Sequence, residues 1–396
     1  MSTATGNAQA HGNHTHNALA ITCAGRGHTT ALFPPYTSNE QHVADWHDLV
    51  LALLGRWLGR HDYRLFDLQG ERTGTHATFA EVLILGQSRR PDGSEEHQRS
   101  TQLHLSMLQR RIDRRLEATA MEDHAALKVE DLRALFNLDD TAIRALMIAA
   151  MTQISVDVAR MTAYLTGRDD ARPTAGLLVE ACSDQIHRGL AFGPCPLDEL
   201  AALHLLQIHG EGVEATVTVP EAVVRFLQGK AVQLPAALKS SSRLWCVDDA
   251  ISPDAVLAPR TVLTQLARAL GPPCNHIVLT GQRGAGRRTA AASLLAQTGT
   301  GVLEVDLGQL IATTGVQGIA QLAREARLRR CALLLRAEGL VDDEESLRAH
   351  RPALRHALSG VRGRVIVTVT RSSSDPGGLL RDPARIVFPP ASTELQ

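Results

Sequence analysis

Between His276 and Phe388 the chain repeats one pattern, a short apolar run of β-forming residues followed by a longer stretch with helical periodicity. The runs are "HIVLT" (276–280), "VLEVDL" (302–307), "CALLLR" (331–336), "RVIVTVT" (364–370) and "RIVF" (385–388), and helical patterns fill 287–297, 316–330 and 345–358. Strands joined through helices run parallel, and a sheet covered by helices on both faces has strands that are apolar throughout rather than alternating. The pattern therefore predicts an α/β unit with a parallel sheet covered by helices.

The first strand-to-helix connection carries the chemistry. In "HIVLTGQRGAGRRTAAASLLAQ" (276–297) a buried strand enters a glycine-rich turn that opens directly into a helix. Backbone N–H groups can converge on a phosphate only where side chains do not obstruct them, and the dipole of the following helix favours the anion. The template G-x-x-x-x-G-K-[ST] places its glycines at Gly281 and Gly286. The candidate nucleotide-binding residues are thus Gly281, Gln282, Arg283, Gly284, Ala285, Gly286, Arg287, Arg288 and Thr289.

Two positions depart from the template. Arg287 stands where lysine is expected; it keeps the charge, but as a planar fork rather than a compact ammonium. Arg288 replaces the hydroxyl that would hold Mg2+, and Thr289 lies about 100° further round the helix. The chain has three lysines, Lys128, Lys230 and Lys239, so 38 of its 41 basic residues are arginine, and arginine at 287 fits that general usage. On the strand that should end in a metal-holding Asp and a neighbouring Glu, "CALLLRAEGL" offers Arg336 and Ala337; Glu338 is the nearest carboxylate and the candidate catalytic residue. Asp306 is placed either to face the nucleotide cleft or, the preferred reading, as an ordinary strand-end residue, and Asp342 and Asp343 read as a solvated helix start. Thr368 and Thr370 are placed either to sense a γ-phosphate or simply to favour a strand, while Arg381 and Arg385 flank the last strand. With both metal-holding positions changed, Mg2+ is doubtful, and no residues are assigned as metal ligands.

The other half is helical. Residues 1–35 read as a disordered arm whose His11, His14 and His16 are solvated; 36–125 form a helical N-terminal region, with Trp46, Leu49, Leu53 and Trp57 on one stripe. "PDGSEEHQRS" (91–100) reads as a polar loop, and a second helix after it carries Leu103, Leu105, Leu108, Ile112 and Leu116. Over 126–235, helices broken at Asn137 and capped at Asp139 or Asp140 lead to "LDELAALHLLQIHGEGVEATVTVP", a helix and a two-stranded ribbon: a winged-helix pattern. A linker is expected at 236–260, and the α/β core at 261–396.

Overall balance limits the partners. A net charge of −1 argues against holding nucleic acid by bulk charge, and Lys128, Arg133 and Arg144 are too few for a phosphate footprint. The "RRIDRR" cluster (110–115) reads as a solvated or partner-facing surface. The six cysteines are scattered, as suits a reducing cytosol, and no apolar run approaches the ~18–20 residues of a membrane span.

Taken in order, these motifs resemble a family. The 276–390 core is similar to an AAA+ ATPase module, with a P-loop, a degenerate acidic strand, a Thr-ended sensor-like strand and "DPGGLLRDPARIVF" resembling the arginine-finger segment. "LRALFNLDDTAIRALMIAAM", "RPTAGLLVEAC" and "VPEAVVRFLQG" resemble the winged-helix region ahead of that module in bacterial ATPases linked to extracellular contractile injection systems. The resemblance implies a cytoplasmic, ring-forming homo-oligomer that binds ATP and assists assembly of the injection particle through protein partners. It also implies a small helical lid, for which the sequence ending at Gln396 leaves no room. The expectation is an ATP-binding protein with eroded Walker A and Walker B motifs and weak or absent hydrolysis. The alternatives are a scaffold that binds no nucleotide and a winged-helix DNA-binding regulator.

Overall fold

A computed structural model describes residues 33–68, 95–122, 125–183, 195–252, 255–271, 275–338, 344–359, 361, 363–370 and 379–390. The arm expected at 1–35 lies outside them but for its last three residues, as do Asp342 and Asp343.

The first half is built from α1 (Asn39–Leu68), α2 (Glu95–Glu122), α3 (Lys128–Phe136), α4 (Asp140–Ile154), α5 (Val156–Thr166), α6 (Ala175–Cys182), α7 (Pro196–Ala202), β1 (Gln207–His209), β2 (Thr216–Thr218) and α8 (Glu221–Leu227). Trp46, Leu49 and Leu53 bury one stripe of α1, and Leu105, Leu108 and Ile112 of α2 join the same core. Leu103 does not: it is 63% exposed, so the apolar stripe of α2 begins at Leu105. The stretch expected to be a polar loop at 91–100 is helical from Glu95 onward. The residues after the proline and glycine of that stretch, "EEHQR", are mostly good helix formers, and they extend α2 towards its N-terminus.

Asn137 takes the left-handed conformation (φ 52°) and ends α3, and the Asp139 carboxylate then accepts from the Ala142 N–H at 2.7 Å to start α4. From Ala142 to Met151 α4 is buried at nearly every position, which makes it the central helix of this half. β1 and β2 pair antiparallel, with Ile208 opposite Val217, and a bridge from Thr174 to Thr216 fixes the ribbon to the start of α6.

The second half runs α9 (Ala236–Lys239), β3 (Ser242–Trp245), α10 (Arg260–Ala269), β4 (His276–Thr280), α11 (Arg287–Gln297), β5 (Val302–Asp306), α12 (Leu307–Thr314), α13 (Gln317–Leu328), β6 (Ala332–Arg336), α14 (Glu344–Ser359), β7 (Val365–Val369) and β8 (Ala384–Val387). Its six described strands lie in the order β3-β5-β6-β7-β4-β8. Every pairing is parallel except that of β3 with β5, so the stretch read as a linker supplies an antiparallel edge strand. Alternate residues feed two separate cores. Leu303, Leu333, Leu335, Val365 and Val367 face α12, α13 and α14, whereas Val302, Leu334, Ile366, Ile277 and Leu279 face α10 and α11. The protein thus has a helical half with a two-stranded ribbon, followed by a mostly parallel sheet flanked by helices.

The two halves meet along α13. Leu328 is buried in the core of the first half, and Arg324, Arg327 and Arg329 donate to the carbonyl oxygens of His204, Leu135 and Val232. Glu325, fully buried, pairs with both Arg324 and Arg329, so two of the three arginines that cross the seam are held by one acid of α13.

Candidate functional site

β4 lies between β7 and β8, and the chain leaves it through α11 for β5, three positions away in the sheet. Neighbouring connections therefore diverge at the carboxyl end of β4, the kind of switch point where open parallel sheets leave a crevice. The loop 281–286 stands there. Its entry is close-packed: a Cβ added at Gly281 would meet the Phe388 carbonyl oxygen at 2.9 Å and its Cβ at 3.0 Å. Gly284 (φ 86°) and Gly286 (φ 76°) both take the left-handed conformation, which glycine adopts without steric cost. The first intrahelical bond of α11 runs from the Ala290 N–H to the Gly286 carbonyl, so the amides of residues 286–289 have no acceptor within the helix.

Arg287, the candidate phosphate contact, points inward. Only 5% exposed, its guanidinium donates to the Val369 carbonyl and lies 3.2 Å from Glu338 Oε1. Burial holds its pKa below the ordinary value; the charge of Glu338 raises it, and those of Arg288 and Arg283 lower it further. The candidate catalytic carboxylate and the candidate phosphate cation are thus each other's partners.

A second network lies on the α11 face of the sheet. Glu304, in the middle of β5 and 4% exposed, accepts from Arg288 Nη1 at 2.6 Å on Oε1, and Arg336 Nε lies within ion-pair distance of the same oxygen at 3.3 Å without a hydrogen bond. Its Oε2 accepts from Trp245 Nε1 at 2.7 Å. Arg336 also reaches Asp306 Oδ2 at 2.6 Å, and Asp306 Oδ1 caps α12 by accepting from the Gln309 N–H at 3.0 Å. Thr368, opposite Arg336 in the parallel register, is fully buried, and among the described residues its hydroxyl has no hydrogen-bond partner.

In the other half, α6, α7 and the β1–β2 ribbon form a helix-helix-ribbon unit, its turn made at Gly210 (φ 100°) and Gly212 (φ 70°). A family model for a winged helix domain, variant, matches residues 25–231, just over half of the chain. The chain belongs to this winged-helix family. Among curated proteins no match is found.

In winged-helix and helix-turn-helix proteins that read DNA, the second helix of the motif enters the major groove and needs cations near it. In this winged-helix protein α7 carries Asp198 and Glu199, and the ribbon turn carries Glu211 and Glu214. Several basic residues of the preceding helices are paired with acids. Arg111 pairs with Asp45 and Asp48, Arg115 with Asp45, Arg114 with Glu117, Lys128 with Asp131 and Arg133 with Asp140. No described helix is long and apolar enough by itself to cross a membrane.

All nine loop residues from Gly281 to Thr289 fall at one strand end, with Arg287 turned in, Gln282, Arg283 and Gly284 exposed, and Arg288 about half-exposed. Glu338 joins them through Arg287. Sequence reasoning missed Glu304 and Trp245. The signal for Glu304 was a charged residue inside the apolar run "VLEVDL", and Trp245 lay hidden in the supposed linker.

Proposed function

We propose that this winged-helix protein binds ATP in the loop 281–289 with little or no hydrolysis, and acts through protein contacts as an AAA+-like component. The role that the resemblance implies is help in assembling or remodelling a protein complex, such as a contractile injection particle, from a homo-oligomeric state. The observation that carries the reading is the loop itself: two left-handed glycines and a close-packed entry glycine at the switch point of a parallel sheet. Erosion of hydrolysis is supported by Arg288 and Arg336, which stand where the template puts the magnesium-holding hydroxyl and acid and are paired with Glu304. The residues present do not fit Mg2+, because Arg288 and Arg336 occupy the positions expected to hold it.

Gly284→Asp tests the loop. Its Cβ would enter open space, aspartate tolerates a positive φ better than most residues, and the added carboxylate would repel phosphate. Titration with a fluorescent ATP analogue should show saturable binding by the wild type that is lost in Gly284→Asp, with no phosphate release above background. Negligible signal from both proteins would leave a second reading, a scaffold that binds no nucleotide. The feature favouring that one is the self-contained Arg287–Glu338 pair. A DNA regulator is disfavoured by the acidic α7 and ribbon turn.

A further inference from the structure

The two guanidinium groups at the metal-holding positions are set against one carboxylate. Arg288 Nη1 and Arg336 Nε lie 2.6 Å and 3.3 Å from Glu304 Oε1, while Asp306 takes the remaining face of Arg336. Two cations and two anions balance, and the oxygens of Glu304 are already engaged. Mg2+ requires near-octahedral oxygen ligands and excess negative charge. Here it would meet guanidinium donors, which repel it and cannot ligate.

On the phosphate side the described charges also balance, one cation against one acid. Among the described residues Arg287 is held by one acid, Glu338, and by a neutral carbonyl, and Glu338 is the group that an incoming anion would replace. The buried Thr368 hydroxyl, without a hydrogen-bond partner among the described residues and on the α11 side of β7, is a further donor on that face. Resting on the nucleotide reading above, we propose that the loop binds a nucleoside triphosphate as the metal-free anion, with the Arg287 guanidinium passing from Glu338 to phosphate. Guanidinium then supplies the cation that touches phosphate, and Glu338 acts as a built-in competitor that keeps affinity low.

The test is calorimetric titration of the full-length wild type and Glu338→Gln with ATP, each in EDTA and in excess Mg2+. Wild-type affinity in EDTA should equal or exceed that in Mg2+, and Glu338→Gln should bind at least about tenfold more tightly in both media, as expected when one charged competitor is removed. Circular dichroism of the variant should match the wild type. Binding that strengthens tenfold or more with Mg2+ overturns the metal-free proposal while the nucleotide reading stands. Unchanged affinity in Glu338→Gln overturns the exchange. Absence of binding by both proteins in both media overturns the proposal and the nucleotide reading together. The metal comparison needs only the wild type, so it holds even if the variant folds poorly.

Discussion

The Arg327 guanidinium lies 4.2 Å from the centre of the Phe136 ring and donates to the neighbouring Leu135 carbonyl. One side chain of α13 thereby closes the last turn of α3 and ties the sheet domain to the winged-helix half. Cation–π contact and a charged hydrogen bond each contribute on the order of 1 kcal/mol when partly desolvated. Arg327→Ala should lower stability by ~1–2 kcal/mol, read as a lower urea midpoint, and Arg327→Lys should recover only part because the planar stacking is lost. A midpoint unchanged in Arg327→Ala would mean that Arg327 carries no net energy across the seam, leaving Leu328, Arg324 and Arg329 to couple the halves.

His42 sets an acid limit on stability. It is fully buried on α1 and its Nε2 accepts from Trp46 Nε1 at 3.1 Å, so the folded protein holds the ring neutral. Burial is the main cause of a pKa lowered to about 4; Asp45 raises it, and Arg115 and Arg133 lower it. Between about 6.5 and about 4 the unfolded chain takes up a proton that the folded chain refuses, so stability falls as pH drops through that window, by up to roughly 3 kcal/mol. Glu130, 3.8 Å from His42 Nε2, offsets part of the loss near its lower end, because burial raises its pKa and the folded state binds that proton more readily. Denaturant midpoints from pH 7 to 4 should decline for the wild type and decline less for His42→Gln. Parallel profiles for the two proteins would rule His42 out as the cause.

Much of this architecture was legible in the sequence because its signals are local. The five expected strands and the helix over 287–297 occur within a residue or two of their expected bounds, since apolar β-branched runs and a glycine-to-helix transition report directly on the backbone. The Asn137 break and the Asp139 cap were legible for the same reason. What could not be read was contact between distant residues. Arg287 was expected to face phosphate by position in the motif, but its orientation depends on Val369 and Glu338, 82 and 51 residues further along the chain. Trp245 looked like linker because the strand it ends is only four residues long, and it is explained by its bond to Glu304.

The two ends of the glycine loop should respond differently to the same substitution. Gly281→Ala puts a methyl 2.9 Å from the Phe388 carbonyl, backbone that cannot rotate away, and overpacking of this kind costs ~1–3 kcal/mol. Gly284→Ala meets nothing within 4 Å, so its cost is the left-handed backbone alone, about 1 kcal/mol. Thermal melting should therefore rank wild type, Gly284→Ala and Gly281→Ala in falling order. The reverse order for the two variants would contradict the close approach of the loop to the end of β8.

Glu304 is the residue on which the α11 face most depends. Its carboxylate is buried, yet it serves a half-exposed Arg288, a partly exposed Arg336 and the Trp245 indole at once. Removing the acid leaves Arg336 with Asp306 and lets Arg288 turn to water, so the loss should fall below the ~3–5 kcal/mol of a fully buried pair, at about 2–3 kcal/mol for Glu304→Leu. Glu304→Gln keeps an acceptor for Trp245 and should cost less. Because Trp245 reports on the site, Glu304→Leu should also change the tryptophan emission, while Glu304→Gln should change it little. The coupling between Arg288 and Glu304 follows from a double-mutant cycle with Arg288→Met: the double variant should be less destabilised than the sum of the singles by about 1 kcal/mol. Additivity within ~0.3–0.5 kcal/mol would show that the 2.6 Å contact carries no net energy, and would leave Arg336 and Trp245 as the partners that keep a carboxylate inside the sheet.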